Sequence, residues 1–355
     1  MYEFNQIIMG ADRPTNLAVM GIGTIGKRHL MAIEAIDTVN VCGVVDISEE
    51  AKSYCKNRNI PIFHNLNELK NNENVDGIVI STPTVLHHKN AISALDLGFD
   101  VLIEKPISAN VSQAEEITEL ANKKKCMVLV GHQRRFNPLV IKTKEIILEN
   151  KIGTVIGLSG VWALRKDEEY FTPDWRKKIT AGPGITNLIH DIDYLRFIFG
   201  EILEVSAYSS NKVNNFEKED ILCINLKFES GILGNFLITD SGTSPWAWET
   251  CTKENIHLPH LNENNLRIVG TDGSLEFPNL IMWKYKTGGK NWKNELDKVY
   301  IECEIVDPFI SQIKHFADVI CRKVKPITDA LEGKQNLKVA LSILESAKKN
   351  CIVKI

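Results

Sequence analysis

The feature that most constrains the fold is a regular alternation of short apolar runs and helical patterns between Asn16 and about Val130. Strands that are apolar throughout are typical of parallel sheets covered on both faces, and intervening helices supply that cover. The alternation therefore predicts an α/β domain with a doubly wound parallel sheet. The predicted strands cover residues 17–20, 39–45, 77–80, 101–103 and 127–130, and the predicted helices residues 27–35, 48–58, 88–97 and 112–124.

After Arg135 the pattern changes to longer segments with period two. Every second residue of the segment 221–228 is apolar, and the segment 299–305 alternates in the same way. Such strands bury one face, which indicates a largely antiparallel open sheet. Helices are predicted at 138–150, 308–323 and 337–350. We therefore predict a first domain over residues 1–136 and an α+β second domain over residues 137–355.

The length, net charge and cysteine content of the chain exclude several classes of protein. The 355 residues suit two domains, and a net charge of −3 offers no basic field for nucleic acid or an anionic membrane. The eight cysteines form no C-x-x-C pair, which indicates structural thiols in a reducing compartment and no zinc site. No apolar run approaches the length of a membrane span, and no signal peptide is evident. We expect a cytoplasmic protein.

The first predicted strand runs into the motif Gly21-Ile22-Gly23-Thr24-Ile25-Gly26, after which a helix begins. A strand, this glycine pattern and a helix together predict a dinucleotide-binding Rossmann domain. Gly21 would make the tight turn, Gly23 would admit the pyrophosphate, and Gly26 would allow close packing of helix on strand. The helix N-terminus at Thr24 and Ile25 would supply amide donors to the phosphates.

The second predicted strand ends at Asp46, 20 positions beyond Gly26. A carboxylate there can accept both adenosine ribose hydroxyls and would repel a 2′-phosphate. The residues that follow include no arginine for such a phosphate, so we predict NAD rather than NADP as the cofactor. The alternative is that Asp46 only caps the next helix.

Two short polar segments follow buried strands. Ser81-Thr82-Pro83 comes after the strand at 77–80, and Glu104-Lys105-Pro106 comes after the strand at 101–103. Open α/β sheets bind ligands beyond the carboxyl ends of their strands, so both segments are predicted on the cofactor side, together with His87.

These motifs, in this order, resemble the Gfo/Idh/MocA family of oxidoreductases. The segments 131–138 (GHQRRFNP), 182–200 and 329–347 resemble further parts of that family, so most of the chain is covered. The resemblance implies an NAD(P)-dependent enzyme acting on sugars, sugar acids or cyclitols, usually as a homo-oligomer. It also implies that Lys105 contacts nicotinamide and substrate, that Glu104 positions it, and that the peptide before Pro106 is cis.

The segment 185–200 predicts a helix with two faces. Leucine, isoleucine and phenylalanine side chains form a core stripe, and Asn187, His190 and Asp193 recur at spacings of three on another face. Oxidation of a secondary alcohol needs a base for the hydroxyl proton, and histidine suits this, alone or with Lys105. His190 as a core histidine is the alternative.

The chain departs from the family pattern at Thr186, where many members carry an aspartate four residues before the histidine. Two arrangements stay open. Either Asn187 binds substrate while Lys105 and His190 handle the proton, or Asp193 supports the histidine.

Five further side chains are candidates for the substrate pocket: Gln133, Arg134, Trp162, Arg176 and Trp246. An arginine can hold a hydroxyl, carboxylate or phosphate, and an aromatic face suits a sugar ring. The alternatives are salt bridges at the domain junction for Arg134 and core packing for the tryptophans.

We therefore predict an NAD-dependent dehydrogenase that moves a hydride between nicotinamide and a secondary alcohol or ketone of a polyol or sugar. A non-catalytic NAD(P)-binding regulatory protein and an NAD-assisted glycosidase are the alternatives. The apolar face of the segment 221–228 is one that a single chain does not obviously cover, which favours a dimer or tetramer.

Overall fold

The computed structural model describes residues 13–254, 258–286 and 289–355. The chain divides into two compact units: one runs to His132 and also includes Phe309–Lys334, and the other consists of Gln133–Pro308 and Gln335–Ile355. The predicted boundary after Phe136 lies close to this first junction. The sequence pattern did not indicate that a C-terminal segment returns to the first unit.

The first unit contains a six-stranded, wholly parallel sheet with the strand order β3-β2-β1-β4-β5-β6. This confirms the predicted doubly wound α/β fold. The strands are β1 Thr15–Met20, β2 Val39–Val45, β3 Ile62–Phe63, β4 Gly77–Ile80, β5 Asp100–Glu104 and β6 Val128–Gly131. The helices between them are α1 Thr24–Glu34, α2 Glu49–Arg58, α3 Leu66–Asn72, α4 Thr84–Asp96 and α5 Val111–Lys124.

The sequence pattern missed β3 and α3. An edge strand of two residues is too short to show a period, and α3 has only seven residues. Its start is nevertheless capped by Asn65, whose side chain accepts hydrogen bonds from the amides of Asn67 and Glu68.

The second unit contains a nine-stranded sheet with the order β14-β13-β12-β11-β7-β10-β9-β8-β15, antiparallel except where β10 pairs with β7. Its strands are β7 Val155–Ala163, β8 Ile202–Ser210, β9 Ile221–Phe228, β10 Leu233–Thr239, β11 Leu266–Gly270, β12 Ser274–Phe277, β13 Ile281–Tyr285, β14 Leu296–Tyr300 and β15 Val353–Lys354. The remaining helices of the chain are α6 Pro138–Leu148, α7 Pro183–Thr186, α8 Leu188–Phe199, α9 Trp248–Cys251, α10 Pro308–Ile320 and α11 Ala330–Lys349.

The core of the second unit lies between α8 and the sheet. Leu188, Ile192 and Leu195 on α8 are buried in one cluster with Leu222 and Phe228 on β9. The apolar face of the segment 221–228 is thus covered within the chain. The argument that this face requires a partner subunit was wrong, because α8 and its neighbours supply the cover.

The strand predicted at 299–305 was wrong in extent, since β14 ends at Tyr300. Ile281, the first residue of β13, already pairs with Tyr300, so the chain beyond has no further strand to pair with. Helix α11 begins seven residues before the predicted start at 337. It includes Gly333, whose poor helix propensity obscured the pattern, and a Cβ there would lie 2.7 Å from the Val130 side chain.

Across the described residues, none of the helices combines the length and the hydropathy that spanning a lipid bilayer would require.

Candidate active site

The glycine turn between β1 and α1 has the geometry that a dinucleotide needs. Gly21 has a φ of +89°, a conformation that side chains rarely adopt. A Cβ at Gly26 would overlap the carbonyl oxygen of Gly21, whereas a Cβ at Gly23 would meet nothing within 4 Å. No side chain caps α1, and Thr24 and Ile25 in its first turn are exposed. Open space at Gly23 and uncapped amides fit a bound pyrophosphate.

Asp46 follows β2 and lies beside this turn. Its carboxylate accepts hydrogen bonds of 2.8 Å from the amides of Ile22 and Ser48. Burial alone would raise the pKa of Asp46, but the amides of Ser48 and Ile22 outweigh it and lower the pKa below its usual value. Ser48, not Asp46, is the residue whose side chain caps α2. An ionised, half-buried carboxylate is therefore available to ribose hydroxyls.

The segment after β4 is tied to the glycine turn. The Ser81 hydroxyl donates to the carbonyl oxygen of Gly21 at 2.8 Å. The Thr82 hydroxyl accepts a hydrogen bond from Asn90 at 2.9 Å, and Pro83 precedes the first residue of α4. These contacts fix the segment at the same edge of the sheet as Gly21.

His87 lies under the two cofactor-side turns rather than on their surface. It is 1% exposed, and its ring nitrogens lie 2.7 Å from the carbonyl oxygens of Thr82 and Pro106. Burial lowers its pKa. The ring of His87 therefore joins the two turns, and its contact with the cofactor stays a prediction.

Glu104 and Lys105 end β5 in a cis Lys105–Pro106 peptide, as the family resemblance implies. One Glu104 oxygen lies 2.8 Å from Nε2 of His29, and the other accepts the Lys105 amide at 3.1 Å. Burial would raise the pKa of Glu104, but the hydrogen bond and charge of His29, with the charge of Lys105, outweigh it and lower the pKa. Glu104 is thus an anion directly beside a half-exposed lysine.

Sequence reasoning missed His29. Its signal was a histidine three residues after Gly26, on a helix whose neighbouring side chains Leu30 and Ile33 are wholly buried. A histidine on a buried helix face needs a polar partner. Glu104 is that partner, although it lies 75 residues further along the chain.

In the second unit, Asn187 directly precedes α8 and His190 lies in its first turn. The Thr186 hydroxyl lies 3.0 Å from both the carbonyl oxygen of Gly182 and the side-chain oxygen of Asn187, so these two acceptors share its single proton. Asn187 is half-buried, and His190 is 9% exposed. The predicted core stripe of this helix is buried as expected.

Asp193 is buried and has two hydrogen-bond donors as partners. Its carboxylate is 0% exposed and accepts hydrogen bonds from Arg135 at 2.9 Å and from Asn336 at 2.5 Å. Buried carboxylates require such donors. Arg135 and Asn336 both donate to the same carboxylate oxygen, so Asp193 has a structural role. Its contact with substrate and its support of His190 stay predictions.

Arg134 forms a buried ion pair instead of facing a pocket. It is 2% exposed, lies 2.7 Å from Asp191, and stacks 4.2 Å from the ring of Trp248. Burial, with the negative charge of Glu249, raises the pKa of Asp191 to about 6 despite the arginine. Gln133 is also buried and donates to Glu254 at 3.2 Å. The salt-bridge alternative therefore describes Arg134 better than a substrate role does.

The aromatic candidates divide into core and surface. Trp162 is 0% exposed, and its indole donates to Glu249 at 2.8 Å, so it is a core residue. Trp246 is 42% exposed. Arg176 donates to the carbonyl oxygen of Tyr170 at 2.7 Å and borders a cavity of about 650 Å³.

Comparison with known proteins gives two family matches that together cover most of the chain. Residues 15–132 match the model described as "Oxidoreductase family, NAD-binding Rossmann fold". Residues 140–276 match the one described as "GFO/IDH/MocA C-terminal domain".

Among individual proteins, the scyllo-inositol 2-dehydrogenase (NAD(+)) of Bacillus subtilis is 23% identical over 346 residues, 94% of each chain. The glucose-6-phosphate 3-dehydrogenase of the same organism is 26% identical over 210 residues, 58% of this chain and 59% of that protein. The chain thus aligns with about three-fifths of the length of this relative. The WlbA dehydrogenase from Bordetella pertussis, solved with NADH and UDP-GlcNAcA, has the same fold: its TM-score is 0.76 at 21% identity, covering 97% of this chain and 99% of that one.

Proposed function

Since the chain belongs to the GFO/IDH/MocA family of oxidoreductases and its first unit is an NAD-binding Rossmann domain, we propose that it is an NAD-dependent dehydrogenase of a sugar or polyol. The observation that carries the proposal is the placement of Lys105. This half-exposed lysine follows β5 at the carboxyl edge of the sheet that also bears the glycine turn, two strands away from β1.

NAD rather than NADP is supported by Asp46. Its ionised carboxylate can accept the ribose hydroxyls of NAD, whereas the 2′-phosphate of NADP would face a like charge. Gly21, Gly23 and Gly26 would hold the pyrophosphate, with amide donors from Thr24 and Ile25. Ser81, Thr82 and Pro83 would border the nicotinamide half.

When bound, NAD supplies an acceptor for the hydride of a secondary alcohol. The hydroxyl proton must then be removed, and Lys105 and His190 are the two candidates for this role. Glu104 accepts the backbone amide of Lys105 and places a negative charge beside this lysine, and His29 holds Glu104. Asn187, whose side-chain oxygen contacts the Thr186 hydroxyl, is the side chain we assign to a substrate hydroxyl. The exposed Trp246 and the half-buried Arg176 are the remaining candidates for substrate contact.

The substrate class follows from the relatives. Three of the relatives act, by their names, on inositols and on glucose 6-phosphate, and the solved WlbA complex contains a nucleotide-linked sugar acid. These are ring compounds with adjacent secondary hydroxyls, whereas two other relatives are named for an anhydro-N-acetylneuraminate and a muconate semialdehyde. A cyclic polyol or sugar is therefore the substrate we propose for this chain.

The test is reduced-nicotinamide absorbance with NAD, and separately with NADP, across cyclitols, aldoses, sugar acids and sugar phosphates. A rate with NAD on one class supports the proposal and names the class. Tight NADH binding without turnover on any class contradicts it and favours the regulatory-protein alternative. Cleavage of a glycoside with no net NADH would favour the glycosidase.

We also propose that the chain forms a homodimer or homotetramer through the outer face of its second sheet. One row across this face joins Tyr208, Cys223, Leu237 and Val161 on four neighbouring strands. Tyr208 is 70% exposed. An apolar row on a broad, open sheet supports sheet-to-sheet packing between copies.

A further inference from the structure

A cavity of about 650 Å³ lies in the second unit, where the chain leaves β7. Its lining includes three basic side chains, Arg165, Lys166 and Arg176, and the aromatic ring of Tyr170. The volume is that of a pocket for a small molecule of sugar size.

These three cations differ from others nearby in having no acidic partner. Among the described residues, none of the carboxylates forms a salt bridge with Arg165, Lys166 or Arg176. The adjacent Lys178 does have one, since it lies 2.6 Å from Glu217. The buried Lys218 likewise lies 2.8 Å from Asp240. Unpaired positive charge is thus concentrated around the cavity.

Arg176 is held in place for binding. Its guanidinium donates to the carbonyl oxygen of Tyr170 at 2.7 Å and lies 4.1 Å from the centre of the Tyr170 ring. Its Nε is buried and has no hydrogen-bond partner within the described part of the chain. Buried donors of this kind are rare unless a ligand or water satisfies them. A planar guanidinium that borders a cavity and has no acidic partner suits phosphate or carboxylate oxygens.

Lys166 brings a second charge to the same aromatic ring. Its ammonium lies 5.0 Å from the centre of the Tyr170 ring. Two cations on one ring repel each other, and an anion between them would offset that repulsion.

The acidic side chains of the lining do not provide this compensation. Asp167 accepts the Tyr170 amide at 2.7 Å, and Glu169 is exposed to solvent.

We propose that this cavity binds an anionic group of the substrate, a phosphate or carboxylate borne by a sugar, with Arg176 and Lys166 as its ligands. The assignment of the ligand as the substrate rests on the proposed dehydrogenase function. The charge of the cavity then selects acidic or phosphorylated sugars over neutral ones of the same ring.

The test measures binding rather than turnover, by calorimetry on the full chain saturated with NADH. The probes are glucose 6-phosphate, glucuronate and glucose. We expect one of the two anions to bind at least tenfold more tightly than glucose, and its identity separates phosphate from carboxylate. Arg176→Gln should weaken the binding of that anion at least tenfold, and Lys166→Gln should weaken it severalfold. The binding of glucose should change little in either variant.

Lys178→Gln, which removes an exposed and already paired lysine, is the matched control and should leave binding unchanged. Arg176→Lys keeps a charge and guards against misfolding, because it should retain part of the affinity. Equal affinity for glucose and both anions, or anion binding that survives both substitutions, would overturn the proposal.

The outcome is separable from that of the proposed function. Arg176-dependent anion binding without NADH formation leaves the cavity assignment standing and contradicts the dehydrogenase. Turnover of a neutral polyol that is unchanged in Arg176→Gln supports the dehydrogenase and contradicts the cavity assignment.

Discussion

Nε2 of His29 lies 2.8 Å from Oε1 of Glu104, and the imidazole is 0% exposed. This contact joins α1, which begins at the glycine turn, to the residue directly before Lys105. Because the other Glu104 oxygen accepts the Lys105 amide, the carboxylate is fixed on both sides. His29 therefore connects the cofactor turn with the candidate catalytic lysine.

The first prediction concerns His29→Leu. A hydrogen bond to a charged group contributes roughly 1.5–3 kcal/mol, so turnover should fall roughly tenfold to a hundredfold with little change in KM. Loss of His29 also removes a cause of the lowered Glu104 pKa, so Glu104 becomes protonated at higher pH. The acid limb of the kcat profile should move upward in pH.

His29→Gln retains an amide donor. It should therefore recover part of the turnover rate and shift the acid limb of the kcat profile less than His29→Leu does. His64→Leu removes an exposed histidine and serves as control. An acid limb that stays at the wild-type pH in His29→Leu would show that His29 has only a packing role.

The second prediction concerns Arg134→Met. Removing one partner of a buried ion pair typically costs about 3–5 kcal/mol of unfolding free energy, so we expect a loss of stability. A KM effect should be small. Denaturant unfolding measures the change in stability, and steady-state kinetics measure the change in KM.

The loss of unfolding free energy in Arg134→Met should grow as pH rises. Asp191 has a folded pKa of about 6, above its unfolded value, and losing the arginine raises it further. Below about pH 5 the carboxyl is neutral in both proteins, so the difference is smallest there and grows as pH rises. Arg267→Met, at an exposed position on β11, is the control. An increase in KM for Arg134→Met without a loss of stability would instead support a substrate-binding role for Arg134.

The third prediction concerns Asp46→Ser. The variant loses a charged acceptor for the ribose hydroxyls, so the Kd for NADH should rise roughly tenfold to a hundredfold. The Kd for NADPH should fall, because the like charge is gone. Fluorescence titration measures both, with the exposed Glu49→Ser as control. An unchanged ratio of the two Kd values would remove Asp46 as the selecting residue.

The fourth prediction concerns Tyr208→Glu on the outer face of the second sheet. A charge in the apolar row should weaken subunit association at least roughly tenfold. Light scattering should then show a smaller mass than for the wild type, while the monomer stays folded. A wild type that is already monomeric would contradict the proposed interface. Lys227→Glu, at a polar position of the same face, is the control.

The parallel sheet could be predicted from sequence because its strands are apolar throughout and punctuated by glycine turns. The glycine turn and Asp46 followed from spacing alone, since both lie within one local βαβ unit. The strand β14 could not be bounded in this way, because its end depends on where its partner β13 begins.

The individual roles in the second unit were harder to predict for a different reason. Arg134, Trp162 and Asp193 carry polar groups that suit a substrate as well as they suit a core. Their partners lie up to 143 residues away along the chain, as with Asp193 and Asn336. The spacing of apolar residues predicts which side chains share a helix face, but it does not predict which distant side chains contact that face.

The measurement that tests the central claim most directly is a single-turnover reaction of Lys105→Met with NAD and the substrate found for the wild type. We predict NADH binding within about twofold of wild type and a rate of nicotinamide reduction at least roughly a hundredfold lower, because proton removal has lost its lysine. Reduction at the wild-type rate would contradict the account and leave Lys105 as a structural residue of the turn.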